Sequence, residues 1–356
     1  MHIITPRVLI LKIKYFNFKM KLIIIVLVLV FIFYLFFRRQ KIELTNVTSF
    51  IINKKHSSPF RKLCDENRNI IPVMALTSFL WTPDDINTYN EYIANGVKVI
   101  GYTSYKTFPK VISDSTQDNQ TMDIKFDYTG KIKNWVACFK NLEEYGFTDF
   151  NNILEMSESD FKDPEDFSPK EKKYDFIYSC LEDDKETCPL NAWNAVNRNF
   201  NLALKCFPIM VDEFNLKILV VGRLNCGLEK FKNIEVVNML PYHEFQDRLK
   251  ESRYLFVPNI YDASPRVITE AISKDIPVLM NRHIICGSKY INYNTGEFFT
   301  DEHDLRYHLK KLLDKKISPK KWWKENYSKS KSGVKFKNFL DKCYPGLIKS
   351  KEVQFF

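Results

Sequence analysis

Short apolar runs alternate with amphipathic stretches over most of this 356-residue chain, and the alternation predicts an architecture. Residues 69–81 (NIIPVMALTSFLW) and 96–102 (GVKVIGY) read as buried strands. Between them Pro83-Asp84-Asp85 opens a helix that Asn95-Gly96 stops. A second helix is expected over 131–146, and the acidic, proline-containing stretch 151–173 reads as a connection. From Tyr174 the rhythm becomes regular. Strands are expected over 174–180 (YDFIYSC), 216–222 (LKILVVG), 234–240 (IEVVNML), 254–258 (YLFVP) and 276–281 (IPVLMN). Trp193, Val196, Phe200, Leu204 and Phe207 recur at helical spacing, and further helices are expected over 243–252, 264–274 and within 301–343. Strands alternating with helices of this length predict an α/β chain: a parallel sheet with helices on both faces, joined by right-handed crossovers into a Rossmann-like domain.

The longest apolar run stands apart from this rhythm. Leu22 to Phe37 is free of charge, with Lys19 and Lys21 before it and Arg38, Arg39 and Lys41 after it. As a helix it would span about 24 Å, and flanking basic side chains can extend the effective length. No small-residue cleavage site follows, so a retained single-pass membrane anchor is expected rather than a removed signal peptide. Five basic residues precede the run and three follow it closely, which favours a type II orientation. Asn46, Asn119 and Asn326 begin Asn-x-Ser/Thr triplets that a lumenal body would expose to glycosylation.

The net charge of +10 suggests a polyanion partner until it is divided along the chain. The first 41 residues hold eight basic side chains and no acid; the remainder carries 45 basic and 43 acidic residues. A balanced body has no electrostatic footprint for nucleic acid. Eight cysteines are too sparse for a disulfide scaffold, and no CxxC pair marks a zinc site. Cys180, Cys188, Cys206 and Cys226 cluster without ligand spacing and read as small buried residues. His243 and His283 sit near strand ends with no paired motif. Glu182-Asp183-Asp184 follows a strand and reads either as a solvated turn or as a divalent-cation cluster. Trp322-Trp323 reads as core packing of the last helices or as a membrane-surface contact.

The chain has no GxGxxG, GxxxxGK[ST] or GxSxG, which weakens dinucleotide, P-loop and hydrolase chemistry. The best candidate site is NIYDASPRVITEA (259–271), because ligands of open α/β sheets bind beyond the carboxyl ends of strands. Ser264 is a good N-cap and Pro265 a good first helical residue. The free N–H groups of Arg266 and Val267, with the helix dipole, would suit a phosphate, and Arg266 adds a charge. Glu270 lies on the face shared with Arg266, a spacing that equally fits a surface ion pair.

The run DASPRVITE, between the strands YLFVPN and IPVLMN, resembles the acidic-x7-Glu motif of retaining, family 4-type glycosyltransferases of the GT-B fold. Residues 262–299 are also similar to predicted glycosyltransferases of algae and large DNA viruses. The resemblance implies two Rossmann-like domains facing a cleft, the N-terminal one reduced. It implies transfer of a hexose-type sugar from a nucleotide-sugar donor to an acceptor hydroxyl, with retention and with neither metal nor cofactor. Glu270 would bind the ribose hydroxyls, Asp262 the donor sugar, and Ser264, Pro265, Arg266 and Val267 the diphosphate. The family's basic pair after the first strand is replaced here by CLEDDKETCPLNAW (180–193), which leaves Arg198 and Arg223 as substitutes.

On this resemblance the chain divides into a basic tail (1–21), anchor (22–37), stem (38–68), acceptor-side domain (69–165), nucleotide-sugar domain (166–318) and helical tail (319–356). The expected partners are a nucleotide sugar, a glycan, lipid or protein acceptor, and a membrane, but no nucleic acid. The expected location is an endomembrane of Golgi type, or a host membrane if the protein is viral. Two alternatives stay open. One is a non-catalytic, membrane-tethered glycan-binding or scaffold protein with a degenerate GT-B fold. The other is an inverting GT-B enzyme with Asp84 or Asp85 as general base.

Overall fold

A computed structural model describes residues 6–54, 58–103, 108–110, 126–165, 170–262 and 266–356. Residues 1–55 and 56–356 form two separate compact units. The first is a single helix, α1 (Pro6–Asn53). Its side chains from Ile23 to Phe36 are all exposed, as is Asn46, whereas Asn119 lies outside the described residues. The expected transmembrane anchor finds no support: among the described residues no helix is long and apolar enough to cross a membrane.

The second unit contains two six-stranded sheets. The first has the order β12-β1-β2-β3-β4-β5. It is built from β1 (Phe60–Asp65), β2 (Ile70–Leu76), β3 (Lys98–Tyr102), β4 (Trp135–Ala137), β5 (Ile153–Glu155) and β12 (Val353–Phe355). β2 to β5 are parallel, while β1 runs antiparallel to both β2 and β12. Helix α2 (Pro83–Ala94) links β2 and β3 as expected, with Thr82 and Asp85 forming a reciprocal capping box. The helix expected over 131–146 is absent. A single turn, α3 (Tyr128–Lys131), is followed by β4, because Trp135, Val136 and Ala137 are each buried, Trp135 and Val136 pair with β3, and all three pair with β5. A continuous apolar triplet suits a strand covered on both faces, and burial overrode the weak helical pattern.

The second sheet is wholly parallel, with the order β11-β10-β9-β6-β7-β8. Its strands are β6 (Tyr174–Ser179), β7 (Ile218–Val221), β8 (Ile234–Val237), β9 (Ser252–Val257), β10 (Val278–Asn281) and β11 (Gly296–Phe299). The intervening helices are α4 (Trp193–Asn197), α5 (Phe200–Pro208), α6 (Tyr242–Lys250) and α7 (Arg266–Ser273). Helix α8 (Leu305–Leu313) follows β11. Alternate residues of each strand enter opposite cores, as pleating requires. Ile218, Val220, Phe256 and Leu279 meet α5 and α8, whereas Leu219, Val221, Leu255 and Met280 meet α6 and α7. The expected parallel sheet covered on both faces is therefore observed.

The chain then returns to its first half. Helix α9 (Pro319–Asn326) buries Trp323 completely, with its Nε1–H donating to the Lys162 carbonyl at 2.7 Å. Helix α10 (Lys329–Cys343) lays Phe336, Phe339 and Leu340 on the first sheet, and β12 pairs with β1. Helix α10 and β12 thus belong to the packing of the first sheet, while Trp323 of α9 joins a core of the second.

Two disulfides correct the reading of the cysteines. Cys188 bonds Cys226, and Cys138 of the first half bonds Cys286 of the second. Cys180 and Cys206 are free and buried, as read from the sequence. Pairing joins residues far apart in the chain, so spacing carried no trace of it.

Gly222, at the end of β7, has φ +83, and a Cβ there would lie 2.1 Å from the Cys180 carbonyl oxygen. Gly222→Ala is expected to cost about 2 kcal/mol or more, through both backbone strain and this clash. A lowered urea midpoint at unchanged slope checks it.

Candidate functional site

The order of the second sheet reverses between β6 and β9. From β6 the chain steps outward to β7 and β8, then crosses back to β9 and proceeds the other way. The loops after β6 and β9 therefore diverge, and a crevice opens beyond their carboxyl ends. Of the residues expected to carry chemistry, Asp262 follows β9 and Arg266 and Val267 open α7.

Asp262 follows β9 and is largely buried, with its side chain 12% exposed. Arg198, after α4, makes an ion pair with its Oδ2, and Asn259 Nδ2 donates to the same oxygen at 3.3 Å. The Arg198 side chain is 32% exposed, so it faces both Asp262 and the crevice. A break in the predicted helix permits this. Asn199 adopts φ +48 between α4 and α5, a left-handed conformation that Asn tolerates better than most residues. Backbone bonds hold the loop as well: the Ile260 and Tyr261 N–H groups donate to the Asn197 carbonyl at 3.3 and 3.4 Å. Asn197 and Asn259 were not expected from the sequence. Asn197 belongs to no motif, Asn259 opens the candidate run without a role assigned to it there, and only tertiary contact gives either one a role.

Arg266 and Val267 open α7, with Arg266 exposed. Ser264 and Pro265 lie outside the described residues. Glu270 accepts from Gln246 Nε2 at 2.9 Å, an interaction between α7 and α6. Burial raises the Tyr242 phenol above its ordinary value, and the Glu270 carboxylate beside it adds to the rise. Glu270 and Asp262 are thus held by different neighbours.

Arg223 departs from expectation. Its side chain is 1% exposed, and its guanidinium is shared among Asp183 Oδ2 at 2.5 Å, Cys180 Sγ at 3.0 Å and the face of Phe200 at 5.1 Å. A guanidinium enclosed this way braces the loop after β6, and Arg198 is the one that faces the crevice. The acidic triplet is engaged too. Asp183 accepts from the Asn194 and Ala195 N–H groups at 2.7 and 3.1 Å, Asp184 from Glu186 and Thr187, and Glu182 from Leu224. Asp184 thus closes a turn, Asp183 holds the start of α4, and Glu182 ties the loop after β6 to the loop after β7. Asp85, a candidate base of the inverting alternative, accepts from the Thr82 N–H at 2.9 Å within its capping box.

No family model matches the chain. No curated protein matches it by sequence. Several solved structures are similar to it in part. One is S. aureus TarM in complex with Fondaparinux, alpha-GlcNAc-glycerol and UDP (13% identity, 72% of this chain and 54% of that one, TM-score 0.49). Another is a glycosyltransferase from Rickettsia africae (14%, 78% and 77%, TM-score 0.49). A third is WaaG, a glycosyltransferase involved in lipopolysaccharide biosynthesis (15%, 74% and 84%, TM-score 0.42). This chain spans about half the length of the TarM and GtfA/B chains it matches.

Burial raises the Asp183 carboxyl, but the Asn194 N–H, the Arg223 guanidinium and the Ala195 N–H outweigh it and hold the group below its ordinary value. A depressed carboxyl contributes stability above its unfolded value and loses it as pH falls through the folded one. Asp183→Asn is expected to cost about 3–5 kcal/mol at neutral pH, since it leaves a buried guanidinium without its charge partner. The gap between wild type and variant should narrow as the solution is acidified below the usual aspartate range. Denaturant titrations at several pH values check both statements.

Proposed function

We propose that this protein is a glycosyltransferase that moves a sugar from a nucleotide-sugar donor onto an acceptor hydroxyl of a glycan, lipid or protein. The reading adds retention of configuration and no requirement for a metal. One observation carries it: Asp262, in the run DASPRVITE, lies beyond the end of β9 at the strand-order reversal, paired with Arg198. Asp262 would face the donor sugar and Glu270 the ribose hydroxyls, held by Gln246. The Arg266 and Val267 amides at the start of α7, with the Arg266 and Arg198 side chains, would stabilise the departing diphosphate. This stabilisation is electrostatic and needs no protein nucleophile. Ser264 and Pro265 would complete the phosphate loop.

One observation favours the non-catalytic alternative. Arg223 is enclosed by Asp183, so the crevice lacks one of the two cations considered for the diphosphate. The two readings differ in turnover with donor and acceptor, not in nucleotide binding.

The proposal extends to location. Disulfides persist in oxidising compartments, so the body would lie in an endomembrane lumen or outside the cell. The exposed apolar side chains Ile23–Phe36 would associate with a membrane.

A panel of nucleoside diphosphates and nucleotide sugars against the full chain tests the reading. A bound nucleotide at about 100 times its Kd adds roughly 2.7 kcal/mol, seen as a raised melting midpoint. Glu270→Gln should abolish that shift, and Arg198→Ala should reduce it for diphosphates more than for nucleosides. The absence of any shift in wild type would remove the transferase reading. In vesicle flotation the full chain should float and a chain lacking residues 1–55 should sediment.

A further inference from the structure

The Cys138–Cys286 bond lies in a strap that joins the two halves beside the candidate site. Cys138 directly follows β4, and Cys286 lies in the loop after β10. Both strands end toward the carboxyl side of their sheets. Around the bond the two halves also pair through the backbone. Phe139 and Cys286 form an antiparallel bridge, and the Lys140 N–H donates to the Ile285 carbonyl at 2.9 Å. The Ile285 N–H in turn donates to the Ile260 carbonyl at 3.0 Å, and Ile260 binds Asn197. Four segments are thus laced in series: 138–140, 285–286, 260–261 and 197–198. The last two carry, or directly adjoin, the Asp262–Arg198 pair. Cys286 is fully buried and Cys138 nearly so, and Phe139 stacks on Tyr145 at 3.7 Å to close the first-half end.

We propose that Cys138–Cys286 is a positioning cross-link for the loop that carries Asp262, and that its redox state sets the order of that loop. The physical reason is loop closure. The bond joins residues 148 apart, so the backbone bridge between the halves forms within a closed ring. Three hydrogen bonds in series would otherwise have to close against the freedom of both halves. Thiol–disulfide exchange with an external dithiol opens the bond. One thiolate of the reagent attacks a protein sulfur, and the S–S electron pair leaves on the other. The reagent's second thiol then closes its own disulfide. Both cysteines end as thiols, with two electrons and two protons transferred from the dithiol. The coupling is independent of the enzymatic reading; its consequence for donor binding rests on that reading.

The test is amide hydrogen exchange on the full chain carrying Cys188→Ser and Cys226→Ser, in which Cys138–Cys286 is the one remaining bond of the two. Exchange is compared before and after reduction with dithiothreitol, with bond opening verified by mass. Reduction should raise exchange at Lys140, Ile285 and Ile260 together, at least tenfold. Leu255 in β9, which donates to Pro277, should be unchanged. The chain with Cys138→Ser and Cys286→Ser should match the reduced form, and where it fails to fold the reduction arm stands alone. Unchanged exchange at the three amides with the bond shown open overturns the proposal, as does detection of both residues as free thiols in native protein. Nucleotide thermal shifts on the same samples separate the two readings. Faster exchange in these samples, with no nucleotide shift either in them or in the oxidised wild type, upholds the strap and removes the transferase.

Discussion

The organisation of the second sheet follows from one constraint, the handedness of parallel crossovers. A parallel sheet can be extended from its first strand in one direction only while the connections stay on one face. After β8 the chain returns across β6 to β9, the connections change face, and two neighbouring strands send their loops apart. Asp262 and the start of α7 follow β9, and Arg198 ends α4 in the connection after β6, so the pair bridges the two diverging connections.

The walls of the crevice are stiffened from behind. The loop after β6 is held by the buried Arg223–Asp183 pair and by the Cys188–Cys226 bond. A buried pair of this kind adds little net stability over an apolar packing, but it demands one geometry. The connection between the halves is pinned in the same way. Asp160 is fully buried, and its carboxylate binds Lys289 at 2.7 Å and the Tyr290 hydroxyl, while its carbonyl accepts from Ser332 at 2.6 Å. Burial lowers the Lys289 ammonium, and Asp160 opposes that change. A single residue of the connection thus touches the second half and the returning helix α10. With the strap at Cys138–Cys286, the halves are fastened at both ends of the connection and beside the crevice.

Legibility differed by element for physical reasons. β7, β9 and β10 were plain because each carries a short apolar run, ILVV, LFV and VLM, in a sheet covered on both faces. α2 was plain because its cap residues Thr82 and Asp85 act on backbone within three positions. β4 was misread because three residues do not establish a period. β1 and β12 were invisible, since β12 exists only by pairing with a strand almost three hundred residues away. At the site, the start of α7 near residue 266 was legible from helix-start chemistry, while Arg198 and Arg223 could not be told apart. The enclosure of Arg223 was not legible, because a basic residue after a strand reads the same whether it faces solvent or a buried carboxylate.

The sequence by itself determined the alternation of strands and helices, the all-parallel second sheet, and the loop that opens α7. These rest on interactions between near neighbours in the chain: periodic burial, helix caps and turn residues. Only the tertiary structure decided which arginine faces the crevice, which cysteines pair, and that the last helix serves the first sheet. Those outcomes depend on groups tens to hundreds of residues apart whose contact free energy appears only once the sheets have formed. No local pattern records them.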